Sequence, residues 1–173
     1  MSITIAEYDP LWPVQFRDVE RELRRIVGEL AVAVEHVGST AVPGLAAKPI
    51  IDVIVVIESQ DSLSDVIDRL AVAEYQHQGD LGIVDRHAFK APPGAPQRHV
   101  YVCPRSATAL REQLAFRDFL RTNPRVAQAY AALKRDIAAT CNGDRTMYSY
   151  HKTPFVRDVL SRARVGNANP AAE

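Results

Sequence analysis

Glu35-His36-Val37-Gly38-Ser39-Thr40-Ala41-Val42-Pro43-Gly44-Leu45-Ala46-Ala47-Lys48-Pro49-Ile50-Ile51-Asp52 carries the densest concentration of chemistry in the chain. A short strand over 32–37 delivers the backbone into Gly38-Ser39-Thr40. Small residues there let backbone amides approach an anion, and the Ser39 and Thr40 hydroxyls add donors. After a linker containing Pro43 and Gly44, Lys48 supplies a cation. Ile50 to Ile57 is rich in β-branched residues without polar alternation, the pattern of a central strand buried on both faces. Asp52 lies inside it. A carboxylate in such a strand costs several kcal/mol unless it is paired, bound to a metal, or placed at an exposed end. A plain turn at Gly38-Ser39 and a simple pairing of Asp52 with Lys48 are the bland alternatives. It is the combination of turn, cation and strand carboxylate that points to a site.

Outward from this stretch, Phe16, Val19, Leu23, Ile26, Val27 and Leu30 recur at helical spacing, predicting a helix over 13–30 with Pro13 in its first turn. Leu63, Val66, Ile67 and Leu70 predict a second helix over 62–73. Two short strands broken near Gly79 and Gly82 follow, then a proline-rich loop at 91–96 and a strand over 98–103. The last third reads as helical. One helix ends before Pro124, a second carries Val126, Tyr130, Leu133 and Ile137, and a third enters at Thr153-Pro154. The expected fold class is α+β, a mixed sheet with a C-terminal helical cap. It forms a single domain over 1–164, and the small, polar residues 165–173 form a flexible tail.

Composition narrows the function. The chain has 173 residues, 47% hydrophobic and 24% charged, with 21 basic and 21 acidic side chains and a formal net charge of zero. A protein that tracks along nucleic acid shows a basic excess, so no extended nucleic acid is expected, while a local basic pocket for a small anion is compatible. The longest apolar run is too short to span a bilayer, so no membrane partner is expected. Cys103 and Cys141 stand apart, in no metal-ligand spacing, and read as reduced thiols. With no signal-peptide pattern at the start, a cytoplasmic protein is expected.

The 35–52 stretch strongly resembles the signature of the GrpB family. Tyr8-Asp9-Pro10-Leu11-Trp12-Pro13 is similar to that family's N-terminal box, and His99-Val100-Tyr101-Val102 to a later strand. The segments 116–121, 130–134 and 148–152 are similar to its helical blocks. The resemblance implies a nucleotidyltransferase-like fold. Enzymes of that fold place a Gly-Ser turn ahead of a strand with two metal-binding carboxylates one residue apart, and a third on a neighbouring strand. Gly38, Ser39 and Asp52 map onto the turn and the first carboxylate. The second position falls on Ile54, and the third near His99 or Tyr101, where this chain has no acid. A two-metal phosphoryl transfer needs oxygen ligands for both ions, which one aspartate and one histidine supply poorly.

Several side chains remain as candidates. His99, expected beside Asp52 on a neighbouring strand, would hold a divalent ion (magnesium or manganese) together with Asp52, or shuttle a proton, or be a structural histidine. Asp52, Lys48 and His99 form the expected catalytic set. Gly38, Ser39, Thr40, Arg117, Tyr130, Lys134, Tyr148 and Lys152 form the expected phosphate-binding set. Tyr130 and Lys134, like Tyr148 and Lys152, are four apart. Such pairs would close over a phosphate or a base, or simply lay a lysine stem over a ring. Arg117 beside Asp118 reads equally as an internal ion pair and as a bidentate phosphate clamp. Glu35 and His36 flank the turn and would orient it, and Arg86, Lys90 and Arg98 are further basic candidates near the proline-rich loop. The expected function is binding of a nucleotide or related phosphorylated small molecule, with nucleotidyl transfer to a small acceptor as the reaction class. The rival is a non-catalytic binding or folding module, like the GrpB-like domains fused to dephospho-coenzyme A kinases.

Overall fold

A computed structural model describes residues 3–167. Helix α1 (Trp12–Val27) opens with proline in its first turn and closes at Gly28, which has φ 63°. A short 3-10 turn over Gly28–Leu30 leads into β1 (Ala33–Val37). The turn at Ser39–Ala41 and a loop follow, then β2 (Ile51–Ile57), α2 (Leu63–Val72), β3 (Gln76–His77), β4 (His87–Lys90) and β5 (Arg98–Pro104). Helices α3 (Thr108–Thr122), α4 (Pro124–Thr140) and α5 (Arg145–Asn167) complete the order.

The five strands form one mixed sheet in the order β1-β2-β5-β4-β3. β1 runs antiparallel to β2, β5 parallel to β2, and β4 and β3 antiparallel beyond. Every residue of β2 except Asp52 is buried, as its unbroken β-branched run predicts. Strand alternation sends Val53, Val55 and Ile57 to one face, where they meet Trp12, Leu23 and Val27 of α1 and Val66 and Leu70 of α2. Ile54 and Val56 face the other side with Val37, Cys103 and Leu110. Asp52 belongs to that second face, one residue into the strand. A third cluster joins Val42, Leu45 and Ala46 of the loop before β2 to Phe116, Leu120, Tyr130 and Val159 of α3, α4 and α5. The C-terminal helices are thereby pinned over the turn that precedes β2.

The N-terminal segment resembling the family box is structural. Asp9 accepts a hydrogen bond from the Leu11 amide at 2.8 Å, and Tyr8 packs edge-on to the buried Trp12.

The structure corrects the expected entry of the third C-terminal helix. α5 begins at Arg145, and Pro154 lies inside it. Proline removes one amide donor there, and Thr153 bonds back to the Ser149 carbonyl at 3.2 Å. The earlier start places Tyr148 and Lys152 on one turn-spaced helix face. α5 continues through Asn167, so the first residues of the expected tail are helical, and 168–173 lie outside the described residues.

Candidate functional site

The start of β2 is built around a close approach that only glycine permits. Gly38 has φ 71°, and a Cβ placed there would stand 2.3 Å from Asp52 Oδ2. The turn after it is fixed from within. His36 Nε2 lies 3.0 Å from Thr40 Oγ1, which donates in turn to the Ile50 carbonyl at 3.4 Å. Stacked on Phe16 at 4.6 Å and buried, His36 is pushed down to about 4, so it is neutral near pH 7. His36 and Thr40 are thus occupied in joining the turn to β2. The Thr40 hydroxyl, expected as a phosphate donor, spends its proton on the backbone.

Asp52 and His99 are register partners across the parallel β2–β5 pair, and His99 Nδ1 sits 2.8 Å from Asp52 Oδ1. The pairing answers the cost of a carboxylate in an apolar strand: Asp52 is partnered and stands near the strand end, with 29% of its side chain exposed. Two residues on, Ile54 is fully buried and opposite Tyr101. Neither position offers an oxygen ligand of the carboxylate kind.

The helical cap brings cations to this carboxylate. Lys48 Nζ lies 4.0 Å from the centre of the Tyr148 ring, and Lys152 Nζ lies 4.3 Å from the same ring. One aromatic ring thus carries two ammonium groups, one from the loop before β2 and one from α5. Lys134, 1% exposed, donates to the Ala46 carbonyl and lies 4.7 Å from the centre of the Tyr130 ring. Burial lowers all three lysines. Lys134 falls to about 7, with the Lys152 charge adding to the effect, and Lys152 to about 8, with Lys48 adding. Lys48 falls too, through burial and then the Arg145 charge, and Asp52 opposes the shift in every case. In both tyrosine–lysine pairs the ammonium group stands over the ring of its own pair, and Lys134 and Lys152 also line the cleft described next.

That cleft has two adjoining lobes. The smaller, about 330 Å³, contains Lys48, Asp52, His99, Lys134, Tyr148 and Lys152 in its wall. The larger, about 680 Å³, runs between α3 and α5 over Val37, Phe116, Tyr130, Val156 and Leu160. Ser39, Asp52, Tyr101 and Lys152 border both. Tyr130 is buried, stacked on Phe155 at 4.9 Å, and burial pushes its phenol up. Arg86 also borders both lobes, with its guanidinium 4.4 Å from the Tyr101 ring centre. The sequence marks Arg86 only as one basic residue among several. Its place in the cleft depends on how the 78–86 loop folds back over β5, for which the sequence carries no local signal.

Three basic candidates lie elsewhere, Lys90 being exposed at the end of β4 opposite Gln76. Arg117 bonds Glu35 at 2.7 Å, Asp118 at 2.7 Å and the His36 carbonyl at 3.0 Å, and it lines neither lobe. Of its two expected roles, the ion pair is the one present. Arg98 makes a forked pair with Glu22 at 2.7 and 2.8 Å beside Tyr75, across the sheet from the cleft.

The donors do not fit a two-metal centre. Among the described residues no group of three or more His, Cys, Asp or Glu side chains could hold an ion. Asp52 and His99 hydrogen-bond to each other, and the surrounding charges are ammonium groups, which repel a dication.

Comparison with known proteins identifies the family and the fold. Residues 2–162 match the family described as GrpB protein. The UPF0157 protein BH1888 of Halalkalibacterium halodurans is 36% identical over 94% of this chain and 83% of its own length. A crystal structure of the conserved protein GrpB from Enterococcus faecalis superposes with a TM-score of 0.84 at 32% identity, covering 92% of this chain and 96% of that one. The chain spans about half the length of other relatives: 48% of UPF0157 protein YqkA of Bacillus subtilis, at 29% identity over 94% of this chain, and 46% of a dephospho-CoA kinase of Mycolicibacterium paratuberculosis, at 30% identity over 93%. A GLD-2/RNP-8 complex matches with a TM-score of 0.59 at 13% identity, over 87% of this chain and 60% of that one, which shows the nucleotidyltransferase-like fold. The chain belongs to the GrpB family.

Proposed function

We propose that this member of the GrpB family binds a nucleotide or related phosphorylated small molecule in the cleft between the Gly38–Asp52 segment and α5. The observation that carries this reading is the convergence of Lys48, Lys134 and Lys152 on a cleft bordered by Ser39 and Asp52. Three ammonium groups withdrawn from water, each displaced toward its neutral form, are a costly arrangement that a bound anion relieves. The smaller lobe suits phosphate groups, and the larger, with its apolar floor, suits an organic portion.

If the bound molecule reacts, the reaction class is transfer of a nucleotidyl group to a small acceptor. The acceptor oxygen would attack the phosphorus, the remaining phosphates would leave, and lysines would stabilise the accumulating charge. With Nδ1 donating to Asp52, the other ring nitrogen of His99 is the group placed to take the acceptor's proton.

A second reading, a binding or folding module without turnover, is favoured by the buried Ile54 and by Tyr101 at the positions where a metal-using transferase needs carboxylates. The dephospho-CoA kinases among the relatives are consistent with such a role.

Thermal unfolding against a nucleotide panel tests the binding reading, since a ligand at a hundred times its Kd adds about 2.7 kcal/mol of stability. A shift lost in Lys152→Ala supports it. No shift with any nucleotide or sugar phosphate, from a well-folded protein, refutes it. Turnover of labelled nucleoside triphosphate with pooled acceptors separates the transferase from the module.

A further inference from the structure

Among the described residues, the wall of the smaller lobe holds four cationic side chains, Lys48, Arg86, Lys134 and Lys152, and one carboxylate, Asp52. That is a formal surplus of three positive charges in a chain whose overall net charge is zero. Arg86 adds a further observation: among the described residues its Nε is buried without a hydrogen-bond partner, as is Arg98 Nε away from the cleft. No hydrogen bond or ion pair within the described residues engages the half-buried Arg86 side chain, so its terminal N–H groups are the donors that an incoming phosphate oxygen would meet. Its other side is fixed by the Tyr101 ring, so the guanidinium is held in place at the junction of the two lobes.

We propose that the phosphorylated ligand enters this site free of divalent metal, its charge met by the lysine cluster and by Arg86, which acts as a phosphate-binding residue. The inference rests on the phosphate-binding reading above and adds the ionic form of the ligand. A magnesium-complexed polyphosphate carries two fewer negative charges than the free anion, and its ion demands octahedral oxygen ligands. Here that ion would meet one carboxylate already bonded to a histidine, with ammonium groups around it. The free polyphosphate matches both the surplus charge and the donors.

Calorimetric titration with inorganic pyrophosphate and with ATP, each in EDTA and in excess magnesium, is the test. Wild type is expected to bind at least as tightly in EDTA as in magnesium. Arg86→Ala and Lys152→Ala are each expected to weaken binding in EDTA by roughly ten- to hundredfold, the loss typical of one charge-assisted hydrogen bond. Circular dichroism and unfolding midpoints establish that the variants fold. Binding that requires magnesium overturns the metal-free inference and leaves the phosphate reading standing. Binding in EDTA that neither folded variant weakens places the anion elsewhere and overturns the assignment. Absence of binding in both conditions overturns the polyphosphate assignment, and silence of the nucleotide and sugar-phosphate panel as well removes the phosphate reading itself. Should one variant fail to fold, the other decides.

Discussion

Asp52 and His99 face each other across two parallel strands, one residue opposite one residue, with 2.8 Å between carboxylate and imidazole. The pair holds the carboxylate against the Gly38 turn on one side, while the lysines of the cap approach from the other. Each element of the site therefore bears on that carboxylate, and substitutions around it separate structural from ligand-binding contributions.

Gly38→Ala should be severely destabilising, by about 3 kcal/mol or more, since it adds the cost of a left-handed backbone to a Cβ inside contact distance of Asp52. Denaturant unfolding measures it. Part of the loss should be recovered in Gly38→Ala/Asp52→Ala, because the carboxylate oxygen at 2.3 Å is gone, so the two changes will not add.

Asp52→Asn should act in opposite directions on folding and on anion binding. The free protein should lose about 1–2 kcal/mol as the lysines lose their neighbouring negative charge and the His99 bond weakens. Affinity for pyrophosphate in EDTA should rise about two- to fivefold, the effect of removing a like charge a few ångströms away in a solvated site. A large loss of affinity would show that Asp52 itself contacts the ligand through a cation.

Lys134 and Lys152 set a pH dependence with two signs. Their folded values, about 7 and about 8, lie below the unfolded value of 10.5, so the unfolded chain binds more protons above pH 7. Their contribution to stability therefore rises with pH from about 6 up to the unfolded value of 10.5. From the ordinary thiol value of 9.0 upward the buried Cys103 thiol, pushed up to about 12, works the other way. Anion affinity should fall as pH rises through the two folded values, because the ligand needs the ammonium forms. Calorimetry at pH 8 in buffers of different ionisation enthalpy should show net proton uptake on binding, and Lys134→Met should reduce it.

Arg117→Met should cost stability and spare binding. Its N–H groups tie α3 to Glu35 and to the His36 carbonyl in a largely buried setting, so about 3 kcal/mol should be lost. Pyrophosphate affinity at a temperature where the variant is folded should change less than threefold. A loss of affinity as large as that of Lys152→Ala would restore Arg117 to the ligand.

The central strand, the Gly38 turn and the Asp52–His99 neighbourhood were legible in the sequence because each has a local cause. β2 announces itself by its β-branched run, the Gly38 turn by its small residues, and the facing histidine by the family motif on β5, while the approach of Asp52 that demands glycine shows only in the fold. The cation cluster was legible only as residue types, since its assembly depends on α5 crossing back to the loop before β2. Pro154 disguised the reach of α5, as a proline at a helix entry and one inside a helix look alike in sequence. The fates of Arg86, Arg98 and Arg117 could not be separated by composition. Each is an arginine near polar neighbours, and what distinguishes them is whether a carboxylate lies within reach across the fold.

The ring of Tyr148 receives one lysine from before β2 and another from α5, segments far apart in the sequence. During synthesis the glycine turn, the first lysine and the aspartate emerge well ahead of the helix that completes their surroundings. The wall that Tyr148 and Lys152 give the cleft belongs to α5, so docking of that helix closes a site to which the loop before β2, β2 and β5 also contribute. For the same reason, added ligand should rescue variants that loosen the docking of α5 more effectively than variants that weaken the sheet.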